Sequence, residues 1–294
     1  MTVVSGTTDA IPTRVLVLGM AHEDGTIDAS ELLPVAEACG QSAEQVRSCL
    51  RRLVAEGLFE REGTGRTATF RPTARGLHSL TGELDRTLLA YGQDAAGRGW
   101  DGQWRLVAVA VPESRRSARD AFRERMRALG GAPIQGGLHV SPHAWHADVA
   151  RAAERLEIAD GLTLATTGEL VVGGVRDPRE LARVLWPIDD LAARYTAFCE
   201  RYLKIQTLLV EFRAQRRHID DTDFLPGALR MAVEYQACFR DDPLLPPELL
   251  PRPWPGRNAR DIMLRTRRMA ISMRSGPGRP ALFRTYDEAI ESLR

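Results

Sequence analysis

Between Ser42 and Ala55 the apolar positions Val46, Leu50, Leu53 and Val54 recur at helical spacing, while Gln45, Arg47, Ser48, Arg51 and Arg52 fall on the opposite side. The spacing predicts an amphipathic helix with one face rich in hydrogen-bond donors. Its start is marked by Ser42-Ala43-Glu44-Gln45, a capping box in which the serine hydroxyl serves an early helical N–H and the glutamine reaches back to the cap. Gly57 supplies the stop. Leu58 to Arg61 then reads as a strand, Gly63-Thr64-Gly65-Arg66 as a turn, and Thr67 to Arg71 as a returning strand. Upstream, Arg14 to Ala21 and Ser30 to Cys39 are two short apolar-periodic segments, with Gly40 just after the second. Three helices followed by a β-wing predict a winged helix-turn-helix, which with a connecting helix to about Tyr91 occupies residues 1–92.

A different pattern follows the small, glycine-rich stretch Gln93 to Gly99. Strand (Trp104 to Val111), helix (Ser114 to Leu129), strand (Ile134 to Val140), helix (His146 to Leu156), strand (Leu162 to Thr167) and a shorter strand (Leu170 to Val175) alternate. That alternation predicts a small ferredoxin-like α/β domain over 100–176. Residues 177–294 read as a helical C-terminal domain, so the fold class is α+β. Within it Leu191, Tyr195, Phe198, Tyr202, Ile205, Leu209 and Phe212 form an apolar seam at alternating spacings of four and three. Such a seam serves either a homodimer contact, centred on Leu191, Tyr195, Phe198, Tyr202 and Ile205, or burial against other helices of the same chain.

Charge sharpens the reading of the first domain. Residues 1–41 carry one arginine against six acids, whereas residues 42–75 carry seven arginines against four. The whole chain is only +1, which excludes a bulk polycation that coats nucleic acid and favours site-selective docking on double-stranded DNA. In docked helix-turn-helix proteins the N-terminal part of the second helix faces base edges, which makes Gln45, Arg47, Ser48 and Arg51 the candidate readers. Arginine pairs bidentately with guanine and glutamine with adenine. Arg52, Arg61 and Arg66 suit phosphate or the minor groove, and Ser42 anchors the helix start. The alternative is that these arginines only solvate a helix face.

Other chemistry is sparse. Cys39, Cys49, Cys199 and Cys238 lack paired-ligand spacing, so reduced and mostly buried thiols are expected. His139, His143 and His146 are the one dense histidine group, but Pro142 interrupts the helical face that a shared metal would need. No metal or cofactor is expected. Apolar runs fall short of the ~18 residues of a membrane span, and the first residues lack a secretion signal, so a cytoplasmic protein is expected.

The pattern Val46-Arg47-x-x-Leu50-x-x-Leu53-x-x-x-Gly57-Leu58 resembles the GntR and MarR classes of bacterial repressor. Three further strings are Trp100-Asp101-Gly102-Gln103-Trp104, Gly137-Leu138-His139-Val140-Ser141-Pro142, and Leu245-Pro246-Pro247-Glu248-Leu249-Leu250-Pro251 with Trp254-Pro255-Gly256. In this order they resemble the PaaX family of transcriptional repressors, from the winged helix to about Arg274. The resemblance implies a dimeric repressor released from its operator by a metabolite, with an aryl-acyl-coenzyme A thioester as the effector class. It also gives a possible use to the arginine-rich stretch Arg252 to Arg284: Arg257, Arg260 and Arg265 would meet the effector's phosphates, with Trp254 and Met263 near its acyl group. The alternatives are a solvated helix, pairing with the acidic stretch Asp220 to Asp223, or contact with DNA. The middle domain also resembles, in fold, a CRISPR-associated endoribonuclease, so a nuclease-like enzyme is the competing function. That chemistry needs an acidic metal ligand at the end of the first strand, where this chain has Val109-Ala110-Val111-Pro112 before Glu113. No enzyme activity is expected.

Overall fold

Ser42 begins a helix as its sequence demands: its hydroxyl accepts from the Gln45 N–H at 3.2 Å, and the Gln45 side chain accepts from the Ser42 N–H at 2.7 Å. This is a computed structural model, and it describes residues 11–81, 84–97, 99–214, 221–272, 282–286 and 288. The chain divides by its contacts into two units, both discontinuous: residues 1–88, 198–237 and 259–294 form the first, and residues 89–197 and 238–258 the second.

In the first unit, helices α1 (Thr13–Gly19), α2 (Ala29–Ala38) and α3 (Ala43–Ala55) precede a hairpin of β2 (Phe59–Glu62) and β3 (Thr69–Pro72). A two-residue strand β1 (Ile27–Asp28) pairs with β3, giving an antiparallel sheet in the order β1-β3-β2. Leu16, Leu32, Val46, Leu50, Leu53 and Phe70 close the core. Val54 is 37% exposed and Cys49 is buried in its place. At 100° per residue, position 54 turns past the edge of the stripe that 46, 49, 50 and 53 define.

This core is completed from far along the chain. Leu225 and Leu229 of α10 (Asp221–Asp241), together with Leu282, are buried in it. Around Leu282 the chain forms a clasp: the Phe283 N–H donates to Gly19 O, and Arg284 donates to Met20 O at 3.1 Å and to the Glu31 carboxylate at 2.9 Å. Helix α4 (Ala74–Thr81) also belongs here, and the Tyr286 hydroxyl donates to its Leu80 O at 3.4 Å.

Beyond α5 (Leu84–Ala96), the second unit runs β4 (Trp104–Val109), α6 (Arg116–Ala128), β5 (Ala132–Gln135), β6 (Leu138–Ser141), α7 (His146–Arg155) and β7 (Leu162–Thr167). The four strands form an antiparallel sheet in the order β5-β6-β4-β7. The single strand expected over Ile134 to Val140 is two strands, because Gly136 and Gly137, with φ of +57° and +91°, make the two-residue hairpin turn that favours left-handed backbone. The segment expected as a strand over Leu170 to Val175 turns back on itself and forms only one bridge, Val172 to Val175.

The strings that carried the family resemblance meet inside this unit. Trp100 and Trp104 lie with ring centroids 5.1 Å apart, Trp104 stacks on Trp186 at 6.4 Å, and Leu245, Leu249 and Leu250 close the same cluster. Glu248 accepts from the Gly99 N–H at 3.1 Å, and its carbonyl accepts from Arg179 at 2.9 Å. Arg105 is bidentate on Asp101 and also donates to Pro142 O at 3.0 Å, tying the first string to the second. These motifs are therefore packing devices.

Helix α8 (Pro178–Leu185) lies in the second unit, and α9 (Ile188–Ala214), α10 and α11 (Pro255–Ser272) contribute residues to both. The stretch 177–294 contributes residues to both contact units. On the α9 seam, Leu191, Tyr195, Phe198 and Tyr202 are all buried within the single chain. Tyr195 meets Trp254 edge-on and donates to Asp242 at 2.9 Å, while Phe198 packs on Tyr202 and Tyr235. Their side chains are covered by residues of the same chain. Ile205 is half-buried, and the side chains of Leu209 and Phe212 lie outside the described residues. Among the described residues no helix is long and apolar enough to cross a membrane.

Candidate nucleic-acid interface

Helix α3 is held from beneath by Val46, Cys49, Leu50 and Leu53, so its other face is fixed outward. Ser42, Gln45, Arg47, Arg51 and Arg52 are exposed there, Ser48 is half-buried, and Arg61 is exposed on the adjoining strand β2. Arg66 sits in a short 3-10 turn, Gly65–Thr67, between β2 and β3, and its side chain lies outside the described residues.

Two features of this face were not expected. Gln45 spends its side-chain oxygen on the Ser42 N–H, so a bidentate adenine contact, which needs that oxygen as acceptor, competes with the helix cap. Glu44, also exposed, accepts from Arg51 at 3.0 Å and from Arg47 at 3.3 Å. The hydrogen bond from Arg51, followed by that from Arg47, holds the Glu44 carboxyl below its ordinary range. One acid therefore restrains both candidate guanine readers. The signal was present in the sequence as a glutamate three and seven residues ahead of the arginines. Elsewhere on the hairpin Arg71 pairs with Glu62 at 2.8 Å, and Arg14 of α1 donates from one nitrogen, Nη1, to both Glu56 carboxylate oxygens, at 3.0 and 2.8 Å, just beyond α3.

The arrangement offers a capped helix whose exposed side carries Arg47 and Arg51, both held by Glu44, with Arg61 exposed on the adjoining strand between Glu60 and Glu62. Family models described as "PaaX-like protein", "PaaX protein central Cas2-like domain" and "PaaX-like protein C-terminal domain" match residues 13–76, 97–182 and 186–273. The chain belongs to the PaaX family. A PaaX relative, "Transcriptional repressor PaaX" of Escherichia coli (strain K12), is 24% identical over 245 residues, covering 83% of this chain and 74% of that protein. Among solved structures, "Uncharacterized protein Rv0674 from Mycobacterium tuberculosis" matches with a TM-score of 0.48 at 23% identity, covering 88% of this chain and 96% of that one.

The residues of this PaaX chain suggested for an effector fall in both units. Trp254 is half-buried against Tyr195 and Arg257 is exposed, both in the second unit. Arg260 is buried, Met263 is half-buried, and Arg265 is exposed beside Asp261 at 3.8 Å, all three in the first unit. The three histidines also part company. His139 lies on β6 with Nδ1 3.0 Å from Gly137 O, His143 Nε2 is 3.0 Å from Pro243 O, and His146 opens α7 with Nε2 buried and without a hydrogen-bond partner. Among the described residues no three His, Cys, Asp or Glu side chains are grouped to hold a metal ion. Burial pushes the Cys39 and Cys49 thiols up, away from the reactive thiolate.

Proposed function

We propose that this chain is a sequence-specific DNA-binding transcriptional regulator of the repressor type. The observation that carries the reading is the capped helix α3, with its apolar side locked in the core and an arginine-bearing side exposed next to a β-hairpin. We assign the first three helices and the hairpin to the winged helix-turn-helix class and the βαββαβ element order to the ferredoxin-like class. Gln45, Arg47, Ser48 and Arg51 would then face base edges, Gln45 at the expense of its cap bond, Arg52, Arg61 and Arg66 would face the backbone or the minor groove, and Ser42 would anchor the helix start. Support also comes from the family and from the printed function of the Escherichia coli relative.

Two further parts belong to the same proposal. The regulator acts as a homodimer on a palindromic site, through surfaces other than the buried α9 seam residues. A metabolite, of the aryl-acyl-coenzyme A class that the family resemblance suggests, releases it by binding the DNA-incompetent arrangement more tightly. Mobility-shift and footprinting assays on the fragment upstream of the protein's own gene, at fixed salt and with and without acyl-coenzyme A thioesters, test all three. Equal affinity for that fragment and for random duplex would overturn the reading.

The nuclease alternative is set aside on residue chemistry. Strand β4 ends at Val109, and Glu113 is an exposed residue of a short 3-10 turn whose carboxylate accepts from Arg119 at 2.9 Å. Magnesium-dependent cleavage of RNA or DNA that disappears in Glu113→Ala would reverse this.

A further inference from the structure

The β5–β6 hairpin and the end of α6 enclose a concavity of about 330 Å³ within the second unit. Arg123 and Arg127, one turn apart on α6, line one side, and Gln135, Gly136, Gly137 and His139 line the other. No acidic residue is among those lining it. We infer that this pocket binds a small molecule through a phosphate or pyrophosphate group, held between the Arg123 and Arg127 guanidiniums and the glycine turn.

Several observations converge on that chemistry. Positive charge is gathered around a concavity, and a concave low-dielectric wall concentrates the field of the groups that line it. The existing partners of both arginines are weak competitors. Asp120 lies 3.8 Å from Arg123, and Glu124 pairs with Arg127, but each is a surface pair three residues away on the same helix, with the arginine side chains 47% and 69% exposed. Such pairs contribute little in water, whereas two guanidiniums converging on one phosphate make charge-assisted, bidentate hydrogen bonds.

The far wall suits close approach. Gly136 and Gly137 carry no side chains at the tip of the hairpin, so a ligand can reach the backbone there. His139, only 5% exposed, uses Nδ1 on Gly137 O, which leaves Nε2 as its second ring nitrogen. Burial, and then the charges of Arg123 and Arg127, hold this imidazole below its ordinary pKa. An anion seated among the three groups would relieve that repulsion and draw a proton onto the ring. The volume lies at the small end of the range for ligand pockets, about 300–1,000 Å³, and suits a mononucleotide-sized body. The inference does not depend on DNA binding, since every lining residue lies outside α3.

Calorimetric titration of the full chain with inorganic phosphate, adenosine 5′-monophosphate and adenosine tests it. Saturable binding of the monophosphate, none of adenosine, and a loss of about tenfold in affinity for each of Arg123→Gln and Arg127→Gln are expected. Equal affinity for inorganic phosphate would mean that only the phosphoryl group is read, and a higher affinity for the ester that its body is read too; both uphold the site. Arg47→Ala and Arg257→Gln should leave this binding unchanged. The inference is overturned if neither phosphate compound binds at millimolar concentration, if adenosine binds equally well, or if the folded double variant binds as the parent does. Should the double variant not fold, Arg127→Gln, altered at an exposed position, decides alone.

Discussion

Glu44 holds Arg51 at 3.0 Å from seven residues away along the same helix, and it takes Arg47 at 3.3 Å with its other oxygen. The two arginines proposed to read DNA are thus held on an internal acid, which a phosphate or guanine would have to displace to gain them. Glu44→Gln removes the competitor. Its expected effect is tighter binding to specific and random duplex alike, with a salt slope steeper by up to about 0.9. Gel-shift titrations over a range of salt would settle it, and unchanged or weaker binding would show that the glutamate orients the arginines for reading and does not restrain them.

Arg47 and Arg66 should separate reading from anchoring. Arg47→Ala is expected to cost about 1–3 kcal/mol on the operator and to relax one base position, whereas Arg66→Ala should weaken all duplexes and lower the salt slope by about one. Competition binding with single-base operator variants distinguishes them. Equal losses on operator and random DNA for Arg47→Ala would remove it from the list of readers.

The clasp around Leu282 should be a stability determinant of the core that α1, α2 and α3 share. Leu282 is 4% exposed, so Leu282→Ala is expected to cost about 2–5 kcal/mol through lost burial and the cavity left behind. Arg284→Ala, which leaves Met20 O and Glu31 short of a donor, should cost about 1–3 kcal/mol. Hydrogen exchange read on α1 and α2, alongside thermal melting, reports both. Protection of those helices unaltered in Leu282→Ala would refute the role.

His139 sets an acid limb to stability. Its folded pKa lies below the ordinary value, chiefly through burial and then through Arg123 and Arg127 on α6, so the unfolded chain takes up the proton first. Stability should therefore fall as pH drops through the ordinary histidine range, until the lower folded value is reached. Melting temperature measured from pH 8 to pH 5, with His139→Gln for comparison, isolates this part. Phosphate should blunt the fall, and a slope identical in the variant would exclude His139 as its source.

The first domain was the most legible part of the sequence. Its signals are local: a cap, a periodic face, a glycine stop and a hairpin are each written within a few residues of where they act, as Ser42 and Gln45 show. Strand boundaries in the second unit were legible but misread: Gly136-Gly137 is a two-residue hairpin signal, and reading through it merged β5 and β6 into one strand. The α9 seam showed that Leu191, Tyr195, Phe198 and Tyr202 would be covered, but their partners, Trp254, Asp242 and Tyr235, are set by tertiary structure. The pocket at Arg123 and Arg127 was invisible for the same reason: its walls come from a helix face and a hairpin whose meeting leaves no mark on spacing.

Arg284 reaches back to Met20 across 264 positions, and Leu282 fills the core that Leu16 and Leu32 begin. During synthesis the N-terminal helices leave the ribosome long before these residues are made. A prematurely terminated chain would therefore carry α1, α2 and α3 on a core that lacks the Leu282 side chain and the Arg284 hydrogen bonds.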